Sequence, residues 1–95
     1  MKLSKKYRTG VDRCTQEIKR CLAIIEQLDV YDDMNISMYK QLYHEYITEL
    51  FIYYIGANIF DKYKLKKILL QYNTYYDNIL TEIENIRMDD MEVQI

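Results

Sequence analysis

The sequence predicts an all-α fold: an antiparallel, up-down-up three-helix bundle with coiled-coil-like heptad packing. Three observations predict it. The 95 residues include no proline and only two glycines, Gly10 and Gly56, whereas a β-rich chain of this length needs several Gly/Pro turns. Three successive segments carry apolar or tyrosine residues at unbroken steps of three and four. Only one stretch, Asp29 to Asn35, has the composition of a real loop. Short connections then force neighbouring helices antiparallel.

The first stripe is Tyr7, Val11, Cys14, Ile18, Cys21, Ile25 and Leu28. Such spacing puts every side chain on one helical face. Ser4 stands where an N-cap belongs, so this helix is expected over about 4–28. The second stripe is Tyr39, Tyr43, Tyr46, Leu50, Tyr53, Ala57 and Phe60. Asp33, Asn35 or Ser37 can cap its helix and Gly56 can stop it, which gives about 36–56. The third stripe is Leu65, Leu69, Tyr72, Tyr76, Ile79, Ile83 and Ile86. Asn58 with Asp61 three residues on reads as its capping pair, for a helix over about 59–87. The alternative runs the second helix through Gly56 to Phe60, with Asp61 as the cap. Residues 89–95 carry no stripe and are expected to fray. The whole chain, 1–95, reads as one domain.

The second helix is apolar beyond its stripe, with Leu42, Ile47, Phe51, Tyr54, Ile55 and Ile59 in addition. A helix that needs burial on more than one side is either central or covered by a second chain.

Hydrophobic residues make up 49% of the chain, which excludes a disordered polymer. The basic start, Met1 to Lys6, is followed by no apolar h-region, so no signal peptide is expected. The longest apolar run, Leu50 to Ile55, is far too short for a membrane span. The expected compartment is the cytoplasm, of a producing or a host cell. Cys14 and Cys21 lie two turns apart on one helix, roughly 10 Å. That is too far for an intrachain disulfide, and they read as small reduced core residues. Tyr, Ile, Asn, Lys and Asp dominate the residue choice, as in AT-rich bacterial, phage and viral genes.

Catalysis finds little support. The one histidine, His44, has threonine where a His-Glu-x-x-His motif needs its second histidine. No glycine-rich phosphate loop and no nucleophile elbow occur. The carboxylate pairs Asp32–Asp33 and Asp89–Asp90 fall in a loop and the tail, where capping and solubility explain them. No enzyme activity, cofactor or metal is expected.

Tyrosine and charge are more informative. Eleven tyrosines concentrate on the second and third helices, more than a small core accommodates with every hydroxyl paired. Tyr54, Tyr63 and Tyr75 lie off the stripes and are the expected exposed, partner-binding tyrosines. From Met1 to Arg20, seven basic residues face two acidic ones; from Cys21 to Asp61, one basic faces seven acidic. Folded up-down-up, Lys5, Lys6 and Arg8 meet Lys62, Lys64, Lys66 and Lys67 at one end. The opposite end collects acids, among them Asp32 and Asp33, which the reading also assigns to a partner surface. The first and third helices thus carry charge against their dipoles, a sign that the placement serves binding.

The function expected is therefore a non-enzymatic protein-binding module, a small inhibitor or adaptor from a phage, virus or mobile element. It would act through the tyrosine face or the acidic end, with self-association as an extension. Nucleic-acid binding through the basic end ranks second, against an acidic pI near 5.3. A membrane-surface protein of the bacteriocin-immunity type, which the chain resembles in size and helical character, ranks third.

Overall fold

The computed structural model describes residues 3–94, with side chains through Met91. It contains three α-helices: α1 Lys5–Gln27, α2 Asp33–Gly56 and α3 Ile59–Gln94. They form a rod of 55 × 20 × 18 Å. The direction of each helix follows from its bonds. The Tyr7 hydroxyl donates to the Gly56 carbonyl and Cys14 to Glu49, so α1 and α2 run antiparallel. Tyr43 donates to Asn73 while Arg87 reaches Asp33, so α2 and α3 do too. Ser4 meets Asp61 and Glu26 meets Tyr75, which makes α1 and α3 parallel. The topology is up-down-up, as the short connections require.

The heptad stripes form the core. From α1, Val11, Cys14, Ile18, Cys21 and Ile25 are buried, joined by Leu22 from outside the stripe. From α2 come Tyr43, Leu50 and, just past its end, Ala57; from α3, Leu65, Tyr72, Tyr76 and Ile79. Each fully buried aliphatic side chain contributes about 1.5–3 kcal/mol relative to exposure. Two stripe members depart from expectation. Phe60 is 64% exposed and Ile86 is also exposed. Phe60 belongs to the first turn of α3 and not to α2, so the stripe of α2 ends at Ala57.

The helix ends also differ from expectation. Ser4 occupies the N-cap position of α1, but its hydroxyl makes no cap bond. It donates instead to Asp61 Oδ2 at 2.5 Å, tying α1 to α3. Helix α2 begins at Asp33, three residues earlier than the sequence suggested, because Asp32 caps it and accepts the Asn35 N–H. Gly56 closes α2 without a left-handed turn; Ala57 is extended and its N–H bonds to the Tyr54 carbonyl. The Asn58–Asp61 pair caps α3 as expected, with the Asp61 N–H donating to Asn58 Oδ1 at 2.9 Å.

Helix α3 does not stop at residue 87: residues 89–94, expected to fray, remain helical, while Ile95 lies outside the described residues. No glycine or proline follows Gly56 to break it. Tertiary bonds hold its last turns. Arg87 donates to the Val30 carbonyl at 2.7 Å and to Asp33 at 2.6 Å, and the Tyr31 hydroxyl donates to Asp90 at 2.8 Å.

Candidate binding surfaces

The basic end is built around one buried carboxylate. Asp61, 3% exposed, sits in the first turn of α3 and receives the Ser4 N–H at 3.1 Å and the Ser4 hydroxyl. These bonds, the hydroxyl first, hold its carboxyl below the usual range against the opposing effect of burial; Asn58 and the Lys64 charge assist. The sequence reading had α3 charged wholly against its dipole. Asp61 corrects that, since it brings a negative charge to the N-terminal turn of α3 and to the start of α1.

Around Asp61 stand the expected basic residues. Lys6 lies over the Tyr7 ring at 5.5 Å, Lys62 over Tyr54 at 5.8 Å and Lys67 over Tyr63 at 4.7 Å. Arg8 donates to the Leu3 carbonyl and shares a cleft with Lys64. Lys5 and Lys66 are exposed. The predicted basic pole therefore forms from both helices.

The acidic end is engaged internally. Asp32 caps α2 and also binds the Asn35 side chain at 2.8 Å. Asp33 pairs with Arg87, which stacks over Tyr31 at 5.6 Å. Asp29 accepts the Tyr31 N–H, and Asp90 accepts its hydroxyl. The two acids assigned to a partner surface thus have structural tasks, although Asp33 remains exposed.

The three off-stripe tyrosines do not share a face. Tyr63 is 64% exposed. Tyr54 is half-buried against the core and stacks on Phe51 at 5.9 Å, in the cleft between α2 and α3. Tyr75 lines the opposite cleft, between α1 and α3, and donates to Glu26 at 2.6 Å. Only Tyr63 and Tyr75 are as exposed as expected.

The structure adds surfaces that tyrosine counting missed. Being central does not satisfy α2, which still exposes Phe51, Ile52 and Ile55. Ile59, Phe60 and Leu70 of α3 are exposed as well. One seam runs between α2 and α3. At the basic end its cleft is lined by Ile47, Phe51, Tyr54, Leu69 and Leu70, with Lys66 on the edge. Toward the acidic end a second cleft is lined by Ile36, Leu80, Met88 and Met91, with Arg87, Glu84 and Lys40 among the polar lining. Between them lies a polar waist. There Tyr43 stacks on Tyr76 at 4.1 Å, Tyr43 donates to Asn73 at 2.7 Å and the Tyr76 hydroxyl meets His44 Nε2 at 3.2 Å. Burial pushes the Tyr43 and Tyr76 hydroxyls above their ordinary range, so both stay protonated at neutral pH. The surplus apolar positions of α2 were a legible signal for this seam. The methionines carried none, because they fall on no stripe.

The remaining reactive groups are quiet. Both cysteines are buried and free. Burial, then the hydrogen bond to Glu49 and its charge, push the Cys14 thiol up to about 12. Glu49 is itself held by Arg13. Among the described residues, no group of three or more His, Cys, Asp or Glu side chains is placed to hold a metal ion. No described helix is long and apolar enough to cross a membrane.

Comparison with protein-family models, with curated proteins and with solved structures returned no match.

Proposed function

We propose that this protein is a non-enzymatic protein-binding module, an adaptor or inhibitor that receives a helical segment of its partner along the α2–α3 seam. The observation that carries this reading is the apolar surface left uncovered there, with Phe51 and Leu70 exposed beside one cleft and Met88 and Met91 beside the other. Exposed apolar side chains grouped beside a cleft mark interaction sites more often than singly scattered ones do. The strip follows two antiparallel helices, and a third amphipathic helix laid along it would complete four-helix packing. Methionine suits such a seat because its flexible thioether adapts to the partner's shape. Of the off-stripe tyrosines only Tyr54 lines the seam; Tyr75 faces the opposite cleft, so they do not form one face.

Site-specific photocrosslinking tests this. A benzophenone side chain at Phe51 or Leu70 should capture a discrete protein from lysate of the native host. The same group at Gln16, on the exposed surface of α1, should not. Capture should vanish in Leu70→Asp with helicity retained, since Leu70 is exposed. Equal capture from Gln16 would sink the proposal.

A further inference from the structure

The connection between α2 and α3 carries the most exposed apolar side chains of the basic end. Ile59 is 78% exposed and Phe60 64%, and Ile52 and Ile55 are exposed beside them. None of these faces another helix of the chain. They lie at an end of the 55 Å rod, where α2 stops at Gly56 and α3 starts at Ile59. The apolar residues therefore project from an apex and do not line a groove.

The charge around this apex is predominantly positive, with Asp12 of α1 the exposed acid beside Arg8 and Lys64. Between Glu49 and Asp77 the sequence contains a single acid, Asp61, and it is buried and bonded to Ser4. Lys62, Lys64, Lys66 and Lys67 follow within two turns of α3, and Lys5, Lys6 and Arg8 arrive from the start of α1. Tyr54 and Tyr63 sit just behind the apolar tip, each with a lysine over its ring. A projecting apolar tip, then amphipathic rings, then lysines on long flexible stems is the order of polarity met on entering a bilayer from its hydrocarbon outward.

We propose that the α2–α3 apex docks on an anionic lipid surface, with Ile55, Ile59 and Phe60 entering the acyl boundary and the lysines resting at the headgroups. Charge complementarity selects the anionic bilayer, since the cations of the apex far outnumber its one exposed carboxylate, Asp12, which stands beside Arg8 and Lys64. Insertion is shallow, of the order of 5–10 Å as for interfacial helices, and no segment crosses. The sequence reading ranked a membrane surface third, on size and helical character alone, and had assigned Phe60 to the buried stripe. This inference stands apart from the proposed seam function. If both hold, the rod would stand on its basic end with the seam open to a partner.

The chain lacks tryptophan, so F60W introduces a single reporter at the tip. Vesicles containing about 30% phosphatidylserine in phosphatidylcholine, at about 0.1 M salt, are the probe. The expected result is cosedimentation with a blue shift of the F60W emission and quenching by lipids brominated along the acyl chain. Phosphatidylcholine alone should bind at least about tenfold more weakly, and raised salt should weaken the anionic binding. I55D/F60D should lose at least about tenfold in vesicle affinity while keeping its helical circular dichroism. K66E/K67E, which leaves the apolar tip intact, should also weaken binding. M34D, at the far end, should bind as the parent does. The proposal is overturned by absent binding, or by binding without quenching. It is equally overturned if F60W is already blue-shifted in a lipid-free dimer, because a second copy then covers the apex. Tighter binding of an acidic amphipathic peptide than of vesicles would assign the apex to a protein.

Discussion

Where α1 meets α2, Cys14, Ile18, Cys21 and Leu50 are fully buried, and a Cβ on Gly10 would collide with the Tyr53 ring. Where α3 meets that pair, hydrogen bonds do more of the holding. Asp61 to Ser4, Tyr75 to Glu26, Tyr43 to Asn73 and Arg87 to Asp33 run along its length, and clefts flank it on both sides. The first contact is specified mainly by shape, with bonds at Gly56 and Glu49, and the second by burial of Leu65 and Ile79 together with more numerous polar pins. Shape complementarity leaves no surface over. A helix seated by spaced pins leaves apolar side chains uncovered between them, and those form the seam and the apex.

The comparison breaks most visibly in the α1–α2 contact. Leu50→Ala removes a fully buried side chain and should cost about 2–5 kcal/mol in urea unfolding. Gly10→Ala should cost about 1–2 kcal/mol, because displacing Tyr53 outweighs the gain in helix propensity. Gly56→Ala meets nothing within 4 Å and should not destabilise, so the pair of variants separates close approach from propensity.

The α3 seat should respond less to truncation. Tyr43→Phe removes the bond to Asn73 and should cost about 1 kcal/mol, with the ring stack kept. Acid should loosen this seat. The folded carboxyl of Asp61 titrates below its ordinary value, so its contribution is fully present above about pH 4 and is lost as pH falls through the lower folded value. Asp61→Asn should flatten the fall in stability over that range, measured by urea unfolding at several pH values. The smallest effect concerns the thiols. With Cys14 pushed up to about 12, a disulfide reagent at pH 8 should label it no faster than the chain unfolds. Labelling faster than unfolding would mean that the α1–α2 contact opens locally.

Much of this architecture was legible. The steps of three and four mark buried positions from Val11 to Ile25 and from Leu65 to Ile79, because a stripe on a helix must be covered. The Asn58–Asp61 cap was legible because capping is local chemistry within one turn. The start of α2 was less so. Asp32, Asp33, Asn35 and Ser37 all offer capping oxygens, and Arg87, fifty-four residues away, helps to fix Asp33. The end of α3 failed for the same reason: its last turns are held by Val30, Asp33 and Tyr31, which no local pattern announces. The tyrosines divide likewise. Tyr63 is exposed as its position off the stripe implies, whereas Tyr54 packs against the core beside Phe51 of its own helix and Tyr75 is held by Glu26 of α1.

By itself the sequence determined three helices, their antiparallel order and the segregation of charge to opposite ends, because periodicity, capping and loop length are properties of neighbouring residues. Tertiary structure alone decided which side chains stay uncovered. Ser4 abandons its cap for Asp61, α3 is pinned at intervals, and Phe60 leaves the stripe for the apex. Exposure depends on what the other helices fail to reach, and that is fixed only when all three are packed.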